Sequence, residues 1–251
     1  MRNIKLVLAY DGTDFDGWQR QPMGRTVQEV VEKALAKMHK HPVHIHAAGR
    51  TDAGVHATGQ CINFITDIDS IPVEKIAVAC NSFLPRDVRA VSADCVDENF
   101  HARYSATARE YRFYVFPSSV PYPHMRRFSL WIPWVPSLDL LNAYAMRIIG
   151  ENDFTSFAAP SDQSPSRIRH IFSSFWYTEG SLLVYKIIGS SFLWKMVRCL
   201  VGTMLELAKK QAHPDMMKEI LLARDRSLAA DTAPPQGLFL HRVYYGKEYK
   251  I

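Results

Sequence analysis

The sequence predicts an α+β protein built from two similar halves, on three observations. Apolar residues follow a cycle of strand and helix periods over the first hundred positions, and the cycle restarts after Phe100. Of the 251 residues, 47% are hydrophobic, enough for a core of that size. Residues 3–10 read as a strand, and Thr26-Val27-Gln28-Glu29 reads as a capping box opening a helix to about His39. Val27, Val30, Val31, Ala34, Leu35 and Met38 fall on one face of that helix. Two strand-like runs follow at 43–48 and 57–66, then a helix begun by Pro72 with Val73, Ile76, Ala77 and Cys80 as its stripe, then a strand near 88–96. That order is βαββαβ, the split-βαβ pattern. The second cycle reads as strand 106–116, helix 138–149, strands 169–178 and 182–189, helices 192–209 and 214–223, and strand 239–245. Two RRM-like halves, 1–104 and 105–251, are therefore expected to share a broad, mostly antiparallel sheet, with helices on one side and an active-site cleft where the halves meet.

Thirty Lys plus Arg against 25 Asp plus Glu give a net charge of +5, which permits a polyanionic partner without demanding one. Cys61, Cys80, Cys95 and Cys199 are scattered without a C-x-x-C pair, so neither a zinc knuckle nor a disulfide framework is expected, and a reduced, cytoplasmic setting fits. The apolar run from Ile4 is cut short by Asp11, unlike a signal peptide, and the apolar Leu182 to Phe192 region is broken by Lys186 and Gly189. No membrane segment is expected.

The most informative segment is Gly49-Arg50-Thr51-Asp52-Ala53-Gly54-Val55-His56-Ala57, between two predicted strands. Two glycines permit a tight backbone path there, and one loop carries both a carboxylate and a guanidinium. Spacing alone leaves two readings open, Asp52 as a catalyst or Asp52 as the cap of a turn. Elsewhere, a calcium loop through Asp11, Asp14 and Asp16 fails, because Gly12 would occupy its first ligand position and Met23 its last. His44 and His46 share a strand face but have no evident third ligand, so no metal is expected.

The loop resembles the catalytic motif of the TruA-type tRNA pseudouridine synthases, and the resemblance extends along nearly the whole chain. Tyr10-Asp11-Gly12-Thr13, Phe15 and Gly17-Trp18-Gln19-Arg20-Gln21 resemble the family's N-terminal signature, and Asn81, Leu84-Pro85 and Phe100-His101-Ala102-Arg103 continue it. Arg109-Glu110-Tyr111-Arg112-Phe113-Tyr114 resembles the strand with the active-site tyrosine. Ser191-Phe192-Leu193, Met196-Val197-Arg198, Gly202, Thr232-Ala233-Pro234 and Gly237-Leu238 match the C-terminal blocks. Asn152 stands where the family pattern has His, and Ala208 where Gly is usual.

The resemblance implies the pseudouridine synthase fold and an isomerase, an intramolecular transferase, that converts uridine to pseudouridine at positions 38–40 of the tRNA anticodon arm. It implies Asp52 as the catalytic carboxylate and Arg198 as its ionic partner. It also implies that Tyr111 stacks on the uracil or handles protons; for Arg50 two readings stay open, one in which it fills the gap left by a flipped base and one in which it is a surface or phosphate-contacting arginine. Arg109 and His56 are further expected substrate contacts, and Arg103, Arg112, Arg126, Arg127, Arg167, Arg169 and Lys195 could with Arg109 line a phosphate track. No cofactor is required, because the reaction changes neither redox state nor composition. A homodimer with tRNA lying across both subunits is part of the same expectation.

Two rivals come from other classes. A non-catalytic RNA-binding protein of two RRM-like halves would suit the element order but would show no turnover. A nucleoside or glycoside hydrolase would also place a carboxylate near C1′, but would release free uracil.

Overall fold

The computed structural model describes residues 1–249, which form two compact units, Met1–Thr107 with Phe239–Lys247, and Ala108–Leu238 with residues 248–249. In the first unit, strand β1 (Arg2–Tyr10) lies between β3 (His56–Thr66) and β4 (Val88–Val96), antiparallel to both. Its alternation places Ile4, Leu6 and Leu8 at 0% exposure, and Leu6 sits opposite Ile62 on β3. Helices α1 (Val27–His39) and α2 (Val73–Asn81) bury Val31, Leu35, Ile76 and Cys80. Burial pushes the thiols of Cys61 and Cys80 up to about 11, so both stay protonated at neutral pH.

The C-terminal half of β3 pairs with the short β2 (His46–Ala47), whereas its first residues pair in parallel with β10 (Leu238–Tyr244). Strand 239–245, grouped with the second half on element order, thus completes the first unit's sheet. The run expected as strand over 43–48 narrows to His46–Ala47, with the Ala48 N–H still bonded to the Cys61 carbonyl.

In the second unit, β5 (Ala108–Pro117), β9 (Leu182–Gly189), β8 (Ile168–Glu179) and β7 (Gly150–Asp153) form an antiparallel sheet in that order, and β6 (Leu130–Ile132) runs parallel to β5. Helix α3 (Leu138–Met146) packs on β8, and α4 (Met196–Lys209) packs on α3 and α5 (Asp215–Ala223). Trp176 and Tyr185 form the buried centre, with the Trp176 indole N–H on Met204 Sδ at 3.3 Å and the Tyr185 hydroxyl 2.8 Å from Ser174.

Two local expectations need correction. The capping box does not form: Thr26 occupies the N-cap position without a side-chain bond, and Glu29 pairs with Lys33 instead. The helix expected from 192 begins at Met196, because Lys195 adopts φ 62°, outside the helical region. The strands β6 and β7 were not foreseen, since both are short and lack a clear alternation. No helix of the described residues is long and apolar enough to cross a membrane.

Candidate active site

Asp52 sits half-buried on the loop between β2 and β3, and the first unit fixes that loop through its backbone. The Thr51 hydroxyl lies 2.8 Å from the Tyr10 hydroxyl at the end of β1, and the Thr51 carbonyl accepts from the Trp18 N–H at 3.0 Å. After Asp52 the chain turns back, with the Val55 N–H donating to the Asp52 carbonyl at 3.1 Å and Gly54 at φ 76°. The Gly54 N–H donates to the Phe15 carbonyl at 3.3 Å. The Gly54 and Val55 amides are therefore both committed to backbone carbonyls.

Two glycines make this packing possible. A Cβ on Gly12 would fall 2.0 Å from the Val55 carbonyl oxygen. Gly17, at φ 91°, would bring a Cβ to 2.9 Å from the Thr51 oxygen and 3.3 Å from the Asp52 carbonyl carbon. The same segment caps α1: the carbonyls of Gly17 and Trp18 accept from the N–H groups of Val27 and Gln28 at 3.1 and 3.0 Å. This explains why the Thr26 side chain is not needed as a cap. The loop is pinned at its base by Arg25, whose guanidinium pairs in two bonds with Asp87 at 2.6 and 3.0 Å and lies 4.0 Å over the Phe15 ring. Hydrogen bonding to Asp87 raises the Arg25 pKa above its ordinary value.

His56, expected as a substrate contact, is 0% exposed. Its Nδ1 accepts from the Gly12 N–H at 2.9 Å, and its ring stacks on Phe239 at 4.6 Å. The same Nδ1 lies 3.3 Å from an Asp11 carboxylate oxygen. His56 is a structural tie between the start of β3 and the loop after β1. Arg50, two residues before Asp52, is exposed.

The second unit carries the other expected residues. Tyr111 lies on β5 opposite Ile187, half-buried, with the Phe192 ring edge-on at 5.1 Å. Arg109, two residues earlier on the same strand face, donates to the Ser190 carbonyl at 2.8 Å. Arg198 is in the first turn of α4; its Nε donates to the Ala233 carbonyl at 2.7 Å, while the Ala233 N–H donates to the Arg198 carbonyl at 3.1 Å. A Cβ on Gly202 would fall 2.0 Å from the Asp231 carbonyl oxygen, so the 231–233 segment lies directly on this helix. Sequence reading named Thr232-Ala233-Pro234 without foreseeing that its backbone orients the Arg198 guanidinium.

Among the other arginines expected to meet phosphate, Arg112 and Arg167 have carboxylate partners in their own unit. Arg112 pairs with the buried Glu110 at 2.9 Å, and Arg167 pairs with Asp162 at 3.1 Å. Asp162 was not singled out from sequence. Burial works against its charge, yet amide donors, the Ser164 hydroxyl and Arg167 together hold its pKa below the ordinary carboxylate value. It accepts from the backbone N–H groups of Trp194 and Ser164, and so anchors the turn leading into α4.

Comparison with known proteins is consistent across the chain. The sequence model of a family described as tRNA pseudouridine synthase matches residues 6–105 and 144–246. Curated proteins named tRNA pseudouridine synthase A are similar over nearly their full length. One from an Exiguobacterium species is 40% identical, spanning 98% of this chain and 99% of its own, and one from Bacillus pumilus is 43% identical, spanning 96% and 98%. A third, from Brachyspira hyodysenteriae, is 41% identical over 99% of this chain and 100% of its own.

Proposed function

The chain belongs to the tRNA pseudouridine synthase family, and from that premise we propose that it isomerises uridine to pseudouridine in tRNA with the carboxylate of Asp52 as the acting group. The observation that carries the role of Asp52 is the construction of its loop. Backbone bonds and close contacts at Gly12 and Gly17 fix the position of residues 51–55, which suits a carboxylate that must be held at one place.

The reaction breaks the bond from ribose C1′ to uracil N1, turns the base over, and joins C1′ to C5. The proton on C5 leaves and N1 gains one, so atoms and electrons balance without a cofactor. A carboxylate ionised at neutral pH serves the positive character that develops at C1′ as N1 departs. Family resemblance gives Tyr111 and Arg198 parts in the same reaction, Tyr111 at the uracil and Arg198 in keeping the carboxylate ionised. Support for Arg198 comes from the Ala233 backbone, which holds its guanidinium by Nε. Arg50, exposed on the Asp52 loop, suits the space vacated by the flipped base, and Arg109 suits a phosphate or base contact beside Tyr111. By the same resemblance the substrate uridines are those at positions 38–40 of the anticodon arm, and the working form is a cytoplasmic homodimer with tRNA across both subunits.

Incubating the protein with unmodified tRNA and mapping pseudouridine tests the proposal. New pseudouridine at positions 38–40 is expected. Release of free uracil would mark a hydrolase, and binding without any product would mark an RNA-binding protein.

A further inference from the structure

The connection from β5 to β6 follows the strand that carries Tyr111 and is folded by its own local contacts. Pro121 and Pro123 fix φ, and a 3₁₀ turn at Pro123–Met125 folds the segment. The Met125 N–H donates to the Tyr122 carbonyl at 3.0 Å, and the Ser129 hydroxyl donates to the Met125 carbonyl at 2.9 Å. The Trp131 indole N–H donates to the Ser118 carbonyl at 2.8 Å, and the Tyr122 ring rests on Phe116 at 5.4 Å. A cavity of about 290 Å³ opens there, walled by Tyr122, Trp131, Met125, Arg126 and the two prolines. Both rings also face water, Tyr122 at 48% and Trp131 at 38% exposure.

Charge separates this segment from the rest of its unit. Between Glu110 and Asp139 the chain has no carboxylate side chain, while it has His124, Arg126 and Arg127. Arg112, Arg147, Arg167 and Arg224 pair with Glu110, Asp215, Asp162 and Asp153. Among the described residues, no ion pair holds the Arg126 guanidinium, which lines the cavity. Flat aromatic faces beside a guanidinium without a carboxylate suit a base with its phosphate, because any base offers a π-face and the phosphate supplies the missing anion. The cavity is at the small end for ligand sites and takes one base, not a helix.

We propose that this pocket is a second RNA contact, in which an unpaired base of the tRNA substrate stacks on Tyr122 and Trp131 while Arg126 meets the adjoining phosphate. It rests on the reading of tRNA as substrate. The test measures binding of full-length unmodified tRNA to an Asp52→Asn parent, which removes turnover, and to Tyr122→Ala, Tyr122→Phe and Arg126→Ala made in it. Tyr122→Ala is expected to weaken binding by about 5- to 100-fold, the range for losing one stacked base. Tyr122→Phe keeps the ring and is expected to bind within about twofold of the parent, which separates stacking from any change in folding. Arg126→Ala should reduce the slope of log affinity against log salt by about 1. Parent-like binding by both alanine variants overturns the proposal, and a changed oligomeric state with unchanged affinity would reassign the pocket to contact between copies. A parent that binds no tRNA overturns the substrate reading as well, whereas a parent that binds beside unaffected variants overturns this site alone.

Discussion

The loop carrying Asp52 and the loop between β5 and β6 solve opposite problems. The first spends its backbone: residues 51, 52, 54 and 55 are tied to Trp18, Phe15 and one another, and Gly12 and Gly17 bring neighbouring chain within van der Waals contact. Its result is one carboxylate at one place. The second is also folded by its backbone, but it turns rings and a guanidinium toward water and carries no acid. Chemistry at C1′ is sensitive to a displacement of an ångström, whereas stacking and phosphate contact tolerate adjustment. Changes in the first loop should therefore appear in the rate at saturating tRNA, and changes in the second in affinity.

The largest departure is expected from Asp52→Glu, which keeps the charge but moves it by one methylene. Its rate at saturating tRNA should fall by about 100-fold or more while tRNA affinity holds, measured by single-turnover kinetics. A near-normal rate would mean that the loop's rigidity is irrelevant to the chemistry. Gly17→Ala should lower the same rate by roughly 10-fold and also lower the melting temperature, since the new Cβ meets the backbone of residues 51 and 52 in a left-handed conformation. Equal losses in Gly17→Ala and in a surface alanine variant would break the link between Gly17 and Asp52.

Asp162→Asn sharpens the comparison from the second unit. Its folded pKa is lowered, so its ionised form contributes stability above the ordinary carboxylate pKa of about 3.9, and that contribution is lost as pH falls through the folded value. The variant should be less stable than wild type by about 1–3 kcal/mol at pH 7, with the gap narrowing in acid, as read by denaturant unfolding. A gap that stays constant down to pH 3 would show that the charge is not what matters. The smallest effect on RNA is expected from Arg112→Ala. Its partner Glu110 already occupies the guanidinium, so tRNA affinity should change by less than about twofold although stability drops. A loss of affinity like that expected for Arg126→Ala would mean that pairing does not decide which arginines meet RNA.

Much of this was legible from sequence, for identifiable reasons. Long elements with strong periodicity, such as Arg2–Tyr10, Val27–His39 and Ile168–Glu179, end within about two residues of where the pattern places them. The motif around Asp52 was visible because Gly49 and Gly54 flank it; Gly54 does adopt positive φ, whereas a Cβ on Gly49 would meet nothing within 4 Å, and the close backbone contacts fall on Gly12 and Gly17 instead. What was hidden depends on partners distant in sequence. The capping box is a local pattern, but the carbonyls of Gly17 and Trp18, eight or more residues upstream, take the Val27 and Gln28 N–H groups, and the Glu29 carboxylate pairs with Lys33. Asp162 and Ala233 act through backbone contacts that leave no residue pattern, and His56 looks like any polar residue until its burial is known. The 118–131 loop has one sequence signal, five aromatics or arginines beside two prolines without an acid, and composition of that kind is informative only once Tyr122, Trp131 and Arg126 are seen to share a cavity.

The measurement that tests the central claim most directly uses tRNA tritiated at uridine C5, because joining C1′ to C5 expels that hydrogen. Wild type should release label over many turnovers with no free uracil. Asp52→Asn, which keeps the shape of the side chain and removes its charge, should release none while retaining its fold and its tRNA affinity. Release by Asp52→Asn at the wild-type rate would contradict the account.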